Sequence, residues 1–154
     1  MNARDFTLAD AADTEHLGAA LARALGPCGA VIYLSGELGA GKTTLTRALL
    51  QALGYTGRVR SPTYTLVEPY EIAGRRVFHL DLYRLTGAEE LEYLGLRDLD
   101  PDQDLILVEW PERGQGGLPA ADLQVELQHW AAGRKARLLG VSLRGNTILS
   151  GLSA

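Results

Sequence analysis

The 154-residue chain carries a formal charge of −4, is 46% hydrophobic and 22% charged, and has a single cysteine, Cys28. That length suits one domain with one core, and the composition lies far from disordered, collagen-like or coiled-coil chains. One cysteine excludes an intrachain disulfide, no apolar run approaches the roughly 20 residues of a membrane span, and the acidic balance gives no general footprint for gripping nucleic acid.

Asp5–Leu8 reads as a short strand. From Asp13, apolar residues at Leu17, Ala20, Leu21, Ala24 and Leu25 recur at helical spacing, with Asp13 or Thr14 as the expected cap and Gly26-Pro27 as the stop. Ala30–Leu34 is a continuous apolar run, the pattern of a strand buried on both faces. After a glycine-rich turn, Lys42–Leu53 reads as a helix closed by Gly54. Tyr64–Tyr70 and Arg75–Tyr83 alternate as two strands joined at Ala73-Gly74. Thr86 is expected to cap a short helix over Gly87–Gly95, with Glu89 completing a capping box. Leu105–Val108 is a second buried strand. Leu123–Leu127 and Ala136–Leu143 read as strands joined by the turn Ala132-Gly133-Arg134-Lys135. The expected fold is a single α/β domain spanning 1–154, its mixed sheet parallel at the centre, antiparallel at the edges and flanked by helices.

The strongest signal is Gly36-Glu37-Leu38-Gly39-Ala40-Gly41-Lys42-Thr43, which satisfies the G-x-x-x-x-G-K-[ST] pattern between an apolar strand and a helix. Glycines let the backbone turn its N–H groups onto a phosphate, and the helix start favours negative charge there. Lys42 supplies charge to the β- and γ-phosphates, and the Thr43 hydroxyl suits Mg²⁺. A P-loop NTPase fold is therefore expected.

Such a site also needs an acid beside the metal. Glu109 directly follows the buried strand Leu105–Val108 and is the favoured metal ligand or water-positioning group, although aspartate is usual there. Asp81, on one strand face with His79 and Tyr83, is the second candidate, with a supporting or switch role. The plainer alternatives are a solvated strand end for Glu109 and an ion pair with Arg84 for Asp81. Ser61-Pro62-Thr63-Tyr64, about twenty residues after Lys42, could order around the γ-phosphate as a switch, or be an ordinary turn. The arginines Arg58, Arg60, Arg75 and Arg76 could contact a nucleic acid or an acidic partner surface, though such clusters are more often solvated.

Four blocks occur in order: Gly36–Thr44, Ser61-Pro62-Thr63-Tyr64-Thr65-Leu66, His79-Leu80-Asp81-Leu82-Tyr83-Arg84 and Val108-Glu109-Trp110-Pro111-Glu112. Together they resemble the TsaE family of small bacterial P-loop ATPases, over nearly the whole chain. The resemblance implies a cytoplasmic protein acting in synthesis of N6-threonylcarbamoyladenosine at position 37 of tRNA. It would support the transferase TsaD and its partner TsaB by hydrolysing ATP, and would meet tRNA only through that complex. Carried over, Glu37, Leu38, Gly39, Ala40, Gly41, Lys42, Thr43 and Thr44 would bind ATP, and Thr43 with Glu109 would hold Mg²⁺. Lys42, Asp81 and Glu109 would serve catalysis, while Ser61, Thr63 and Trp110 would form the switch region. Thr14 and Arg134 would lie near the base or sugar. A small-molecule kinase and a nucleotide-gated binding switch without useful turnover are the competing functions.

Overall fold

The computed structural model describes residues 2–37, 39–60, 62 and 65–152. Seven strands, β1 (Asn2–Leu8), β2 (Ala30–Gly36), β3 (Val67–Ile72), β4 (Arg75–Asp81), β5 (Leu105–Glu109), β6 (Leu123–Trp130) and β7 (Gly133–Gly140), form one sheet ordered β1-β7-β6-β2-β5-β4-β3. β6, β2, β5 and β4 run parallel to their neighbours in that block, whereas β3 pairs antiparallel at one edge and β7 and β1 at the other. This is the expected mixed sheet. The continuous apolar runs of β2 and β5 follow from their central places: Val31 packs into one core while Ile32 packs into the other.

One face is covered by α1 (Ala11–Leu25), α2 (Lys42–Leu53) and α3 (Leu143–Ser150), through Leu21, Leu25, Leu45, Leu50 and Ile148. The opposite face is covered by Leu82, Leu85 and Leu91 from the chain after β4. The short helix expected there is 3₁₀, Ala88–Leu94, and its cap is Gly87; Thr86 instead bonds the Glu90 carboxylate. α1 begins earlier than expected because Asp10 is the cap, accepting the Asp13 N–H at 3.0 Å, while the Asp13 carboxylate accepts the Ala9 N–H at 2.9 Å. α2 keeps its expected limits, and Gly54, at φ 116°, closes it in the left-handed conformation.

Ala73 and Gly74 turn the β3–β4 hairpin with φ of 53° and 80°, the doubly left-handed geometry that matches strand twist. The second hairpin turns earlier than expected. Trp130 pairs with Gly133, so Ala131-Ala132 form the tip and Arg134 belongs to β7. The strand expected to reach Leu143 ends at Gly140, and α3 starts at Leu143, capped by Ser142, whose hydroxyl accepts the Gly145 N–H. Asp122 joins these parts: its carboxylate accepts from the Val31 N–H and the Ser142 hydroxyl, at 2.9 and 2.7 Å. None of the described helices is long and apolar enough to cross a membrane.

Candidate nucleotide-binding site

In a parallel block, ligands gather where the strands' carboxyl ends meet the loops that follow. β2, β5 and β4 end together: Leu34 pairs with Glu109, and Glu109 with Asp81. β2 then feeds the glycine loop and α2. The result is a cavity of about 410 Å³ lined by Gly39, Gly41, Lys42, Thr43, Asp81 and Glu109, among others. A larger hollow of about 550 Å³ beside Glu89 and Glu92 has no basic residue among its described lining, so it does not suit phosphate.

The loop's form depends on its glycines. Gly36 lies against β6, where a Cβ would stand 2.5 Å from the Leu127 carbonyl oxygen. Gly41, at φ 106°, caps α2 without any side-chain hydrogen bond, so the first-turn N–H groups are not capped by a side chain. Lys42 is only 5% exposed; its ammonium donates to the Gly36 carbonyl at 2.6 Å and lies 4.2 Å from the centre of the Trp110 ring. Burial lowers its pKa, against the opposing pull of Glu109, Asp81 and Glu112. Thr43, next in sequence, is exposed at the same cavity.

Both candidate acids are buried, Asp81 at 7% and Glu109 at 5% exposure, so Glu109 is no solvated strand end. Burial raises the Asp81 pKa, and the nearby Glu109 charge adds to it; the Tyr83 N–H, bonded to Asp81 at 3.0 Å, works the other way. The Glu109 Oε2 lies 2.6 Å from His79 Nε2, and His79 is itself almost wholly buried. His79 is the residue whose role sequence reasoning missed. The strand alternation placed it with Asp81, but only the β4–β5 register brings it to Glu109.

Trp110 follows with φ 58°, uncommon for a bulky side chain, and packs 5.0 Å from the Tyr83 ring. Beside the cavity is a recess of about 220 Å³ lined by Thr14, Thr44 and Arg134 together with Gly39 and Gly41. Arg134 donates to the Gly39 carbonyl at 3.0 Å, so the β6–β7 hairpin reaches the loop. Ala40 is buried beneath the loop and Glu37 is exposed at its start. Leu38, Ser61 and Thr63 lie outside the described residues. Of the arginine cluster, Arg76 pairs with Asp104 at 2.6 Å and Arg75 bonds the Gly26 carbonyl, so these two are engaged within the fold.

The donor set suits a Mg²⁺–triphosphate. The loop and Lys42 offer donors and positive charge, and Thr43 with Glu109 would offer hard oxygen ligands. Among the described residues no group of three or more His, Cys, Asp or Glu could hold a metal ion.

The chain is similar to a group of known proteins. A family model described as threonylcarbamoyl adenosine biosynthesis protein TsaE matches residues 8–137. The tRNA threonylcarbamoyladenosine biosynthesis protein TsaE of Haemophilus influenzae is 50% identical over 123 residues, covering 80% of this chain and 78% of that protein. The protein of the same description from Bacillus subtilis is 37% identical over 128 residues, covering 83% and 78%. The crystal structure of Bacillus subtilis YdiB matches with a TM-score of 0.78 at 27% identity, over 97% of this chain and 93% of that one.

Proposed function

The chain belongs to the TsaE family of threonylcarbamoyladenosine biosynthesis, and we propose that within that pathway it binds Mg²⁺–ATP and hydrolyses it to sustain turnover of a TsaD–TsaB transferase complex. The observation that carries this reading is the convergence of buried Lys42, Asp81 and Glu109 on the cavity at the mouth of the glycine loop. Buried charges are tolerated when paired, hydrogen-bonded or bound to a metal, and a lysine beside two carboxylates at the mouth of a glycine loop gives charge of both signs to a metal–phosphate ligand.

In this reading the loop N–H groups and Lys42 hold the β- and γ-phosphates, and Thr43 and Glu109 hold the metal. When bound, Mg²⁺ neutralises phosphate charge. Glu109 or Asp81 orients a water in line with the γ-phosphorus; as its oxygen bonds to phosphorus, the bond to the ADP oxygen breaks and the water's proton leaves through the carboxylate. Thr14 and Arg134 face the nucleoside from the neighbouring recess. Ser61, Thr63 and Trp110 form the segment that responds to the γ-phosphate. The protein acts in the cytoplasm, and its −4 charge suits an indirect approach to tRNA through TsaD and TsaB.

No arginine finger is assured by the sequence, and in P-loop NTPases such an arginine is often supplied by a partner. Hydrolysis is therefore expected to be slow alone and faster in the complex. ATP turnover measured with and without a TsaB–TsaD pair tests this. Equal rates remove the activation claim, and no phosphate release in either condition removes the hydrolysis claim. If Lys42→Ala abolishes tRNA modification while Glu109→Ala, which should still bind ATP, preserves it, the protein is a nucleotide-gated switch instead.

A further inference from the structure

We propose that His79 is a positioning residue whose Nε2–H holds the Glu109 carboxylate in one orientation, leaving the other carboxylate oxygen for the metal or the water. This rests on the hydrolytic reading of the site.

The backbone of Glu109 is fixed before its side chain is. It is the last residue of β5, paired with Leu34 on one side and Asp81 on the other, and its carbonyl accepts the Leu82 N–H at 3.1 Å. Immediately beyond it, Trp110 turns into the left-handed region and takes the chain out of the sheet. What remains free is the Glu109 side chain, with its rotatable bonds. His79, two residues before Asp81 on β4, is opposite Leu107, so its ring reaches diagonally to the carboxylate two residues on, on the same face. The contact is 2.6 Å, just short of the usual span of a charge-assisted nitrogen–oxygen bond.

The direction of that bond follows from the other ring nitrogen. His79 Nδ1 is buried and has no hydrogen-bond partner among the described residues. A proton there would be an unpaired buried donor, so the proton belongs on Nε2, pointing at Glu109. An apolar side chain would serve a core strand better than an imidazole does; Val77 and Leu80 on the same strand are fully buried without polar groups. Among the described residues, the hydrogen bond that distinguishes His79 is the one to Glu109. Histidine here resembles the outer groups that fix ligands around metal centres, with the roles reversed: the imidazole orients and the carboxylate ligates.

Three variants and one spectrum test this. His79→Phe keeps ring volume without a donor, and His79→Gln restores an N–H at similar reach. In the partner-activated assay, His79→Phe should lower kcat about 10–100-fold with KM for ATP changed less than about twofold, and His79→Gln should recover most of the loss. Imidazole ¹⁵N shifts of the ligand-free protein should show the Nε2–H tautomer at His79, and a tautomer mixture in Glu109→Ala. Wild-type kcat in His79→Phe, a loss in His79→Gln as deep as in His79→Phe, or an Nδ1–H tautomer in the wild type overturns the assignment. If the wild type itself releases no phosphate, the hydrolytic reading fails, and the spectrum alone judges the His79–Glu109 bond.

Discussion

Lys42 is held by two contacts that a polyphosphate would have to replace, the Gly36 carbonyl and the face of Trp110. A cation over an aromatic ring contributes about 0.5–2 kcal/mol, less than a lysine can gain from multiply charged phosphate oxygens. The ammonium is therefore kept at its station without being trapped. Because Trp110 is its stacking partner, movement of Lys42 should register in indole emission. In a Trp130→Phe background, which leaves Trp110 as the only tryptophan, saturating ATP is expected to shift that emission. Lys42→Ala should produce a shift before any nucleotide is added. Emission unmoved by both changes would mean that the ring does not sense the lysine.

At the scale of elements, α1 and α2 approach closely because Gly18 has no side chain. A Cβ there would stand 2.7 Å from the Leu45 carbonyl oxygen and 2.9 Å from the Ala48 Cβ. Gly18→Val is expected to destabilise the fold by about 1–3 kcal/mol, with Tm lowered roughly 2–4 °C for each kcal/mol. Calorimetry checks it, and an unchanged Tm would show that the helices can part without cost. The elements legible from sequence are those set by local chemistry: α2 between its lysine and Gly54, the Ala73-Gly74 turn, and the apolar strands β2 and β5. Errors arose where a neighbour decided. Leu143 looks like the end of an apolar strand, yet it is an exposed first helical residue because Ser142 caps α3 and bonds Asp122, twenty residues earlier. Likewise the glycine loop was visible in its own spacing. The meeting of Asp81, His79 and Glu109 was not, since it depends on β4 lying beside β5 and on their register.

Across the whole molecule, the sheet's open edges are poor templates for another strand. β3 carries Glu68, Pro69 and Glu71, and β1 carries Arg4 and Asp5. Partner proteins are thus more plausibly met through side chains and loops than by strand addition. The center of the sheet has the reverse character, with every strand dependent on two neighbours. Within it, β2, the strand that carries the glycine loop, takes its place between β5 and β6, which lie about 70 and 90 residues later in the chain. During synthesis that strand, apolar on both faces, therefore waits for β5 on one side and longer still for β6 on the other. Contacts so distant in sequence slow folding, and a long wait leaves a sticky segment uncovered. A fragment ending at residue 120, which lacks β6, should therefore bind no ATP and tend to aggregate, as nucleotide titration and light scattering would show. The frame of the glycine loop is therefore closed only when β6 joins, and on the proposed reading a copy that lacks β6 offers ATP no site.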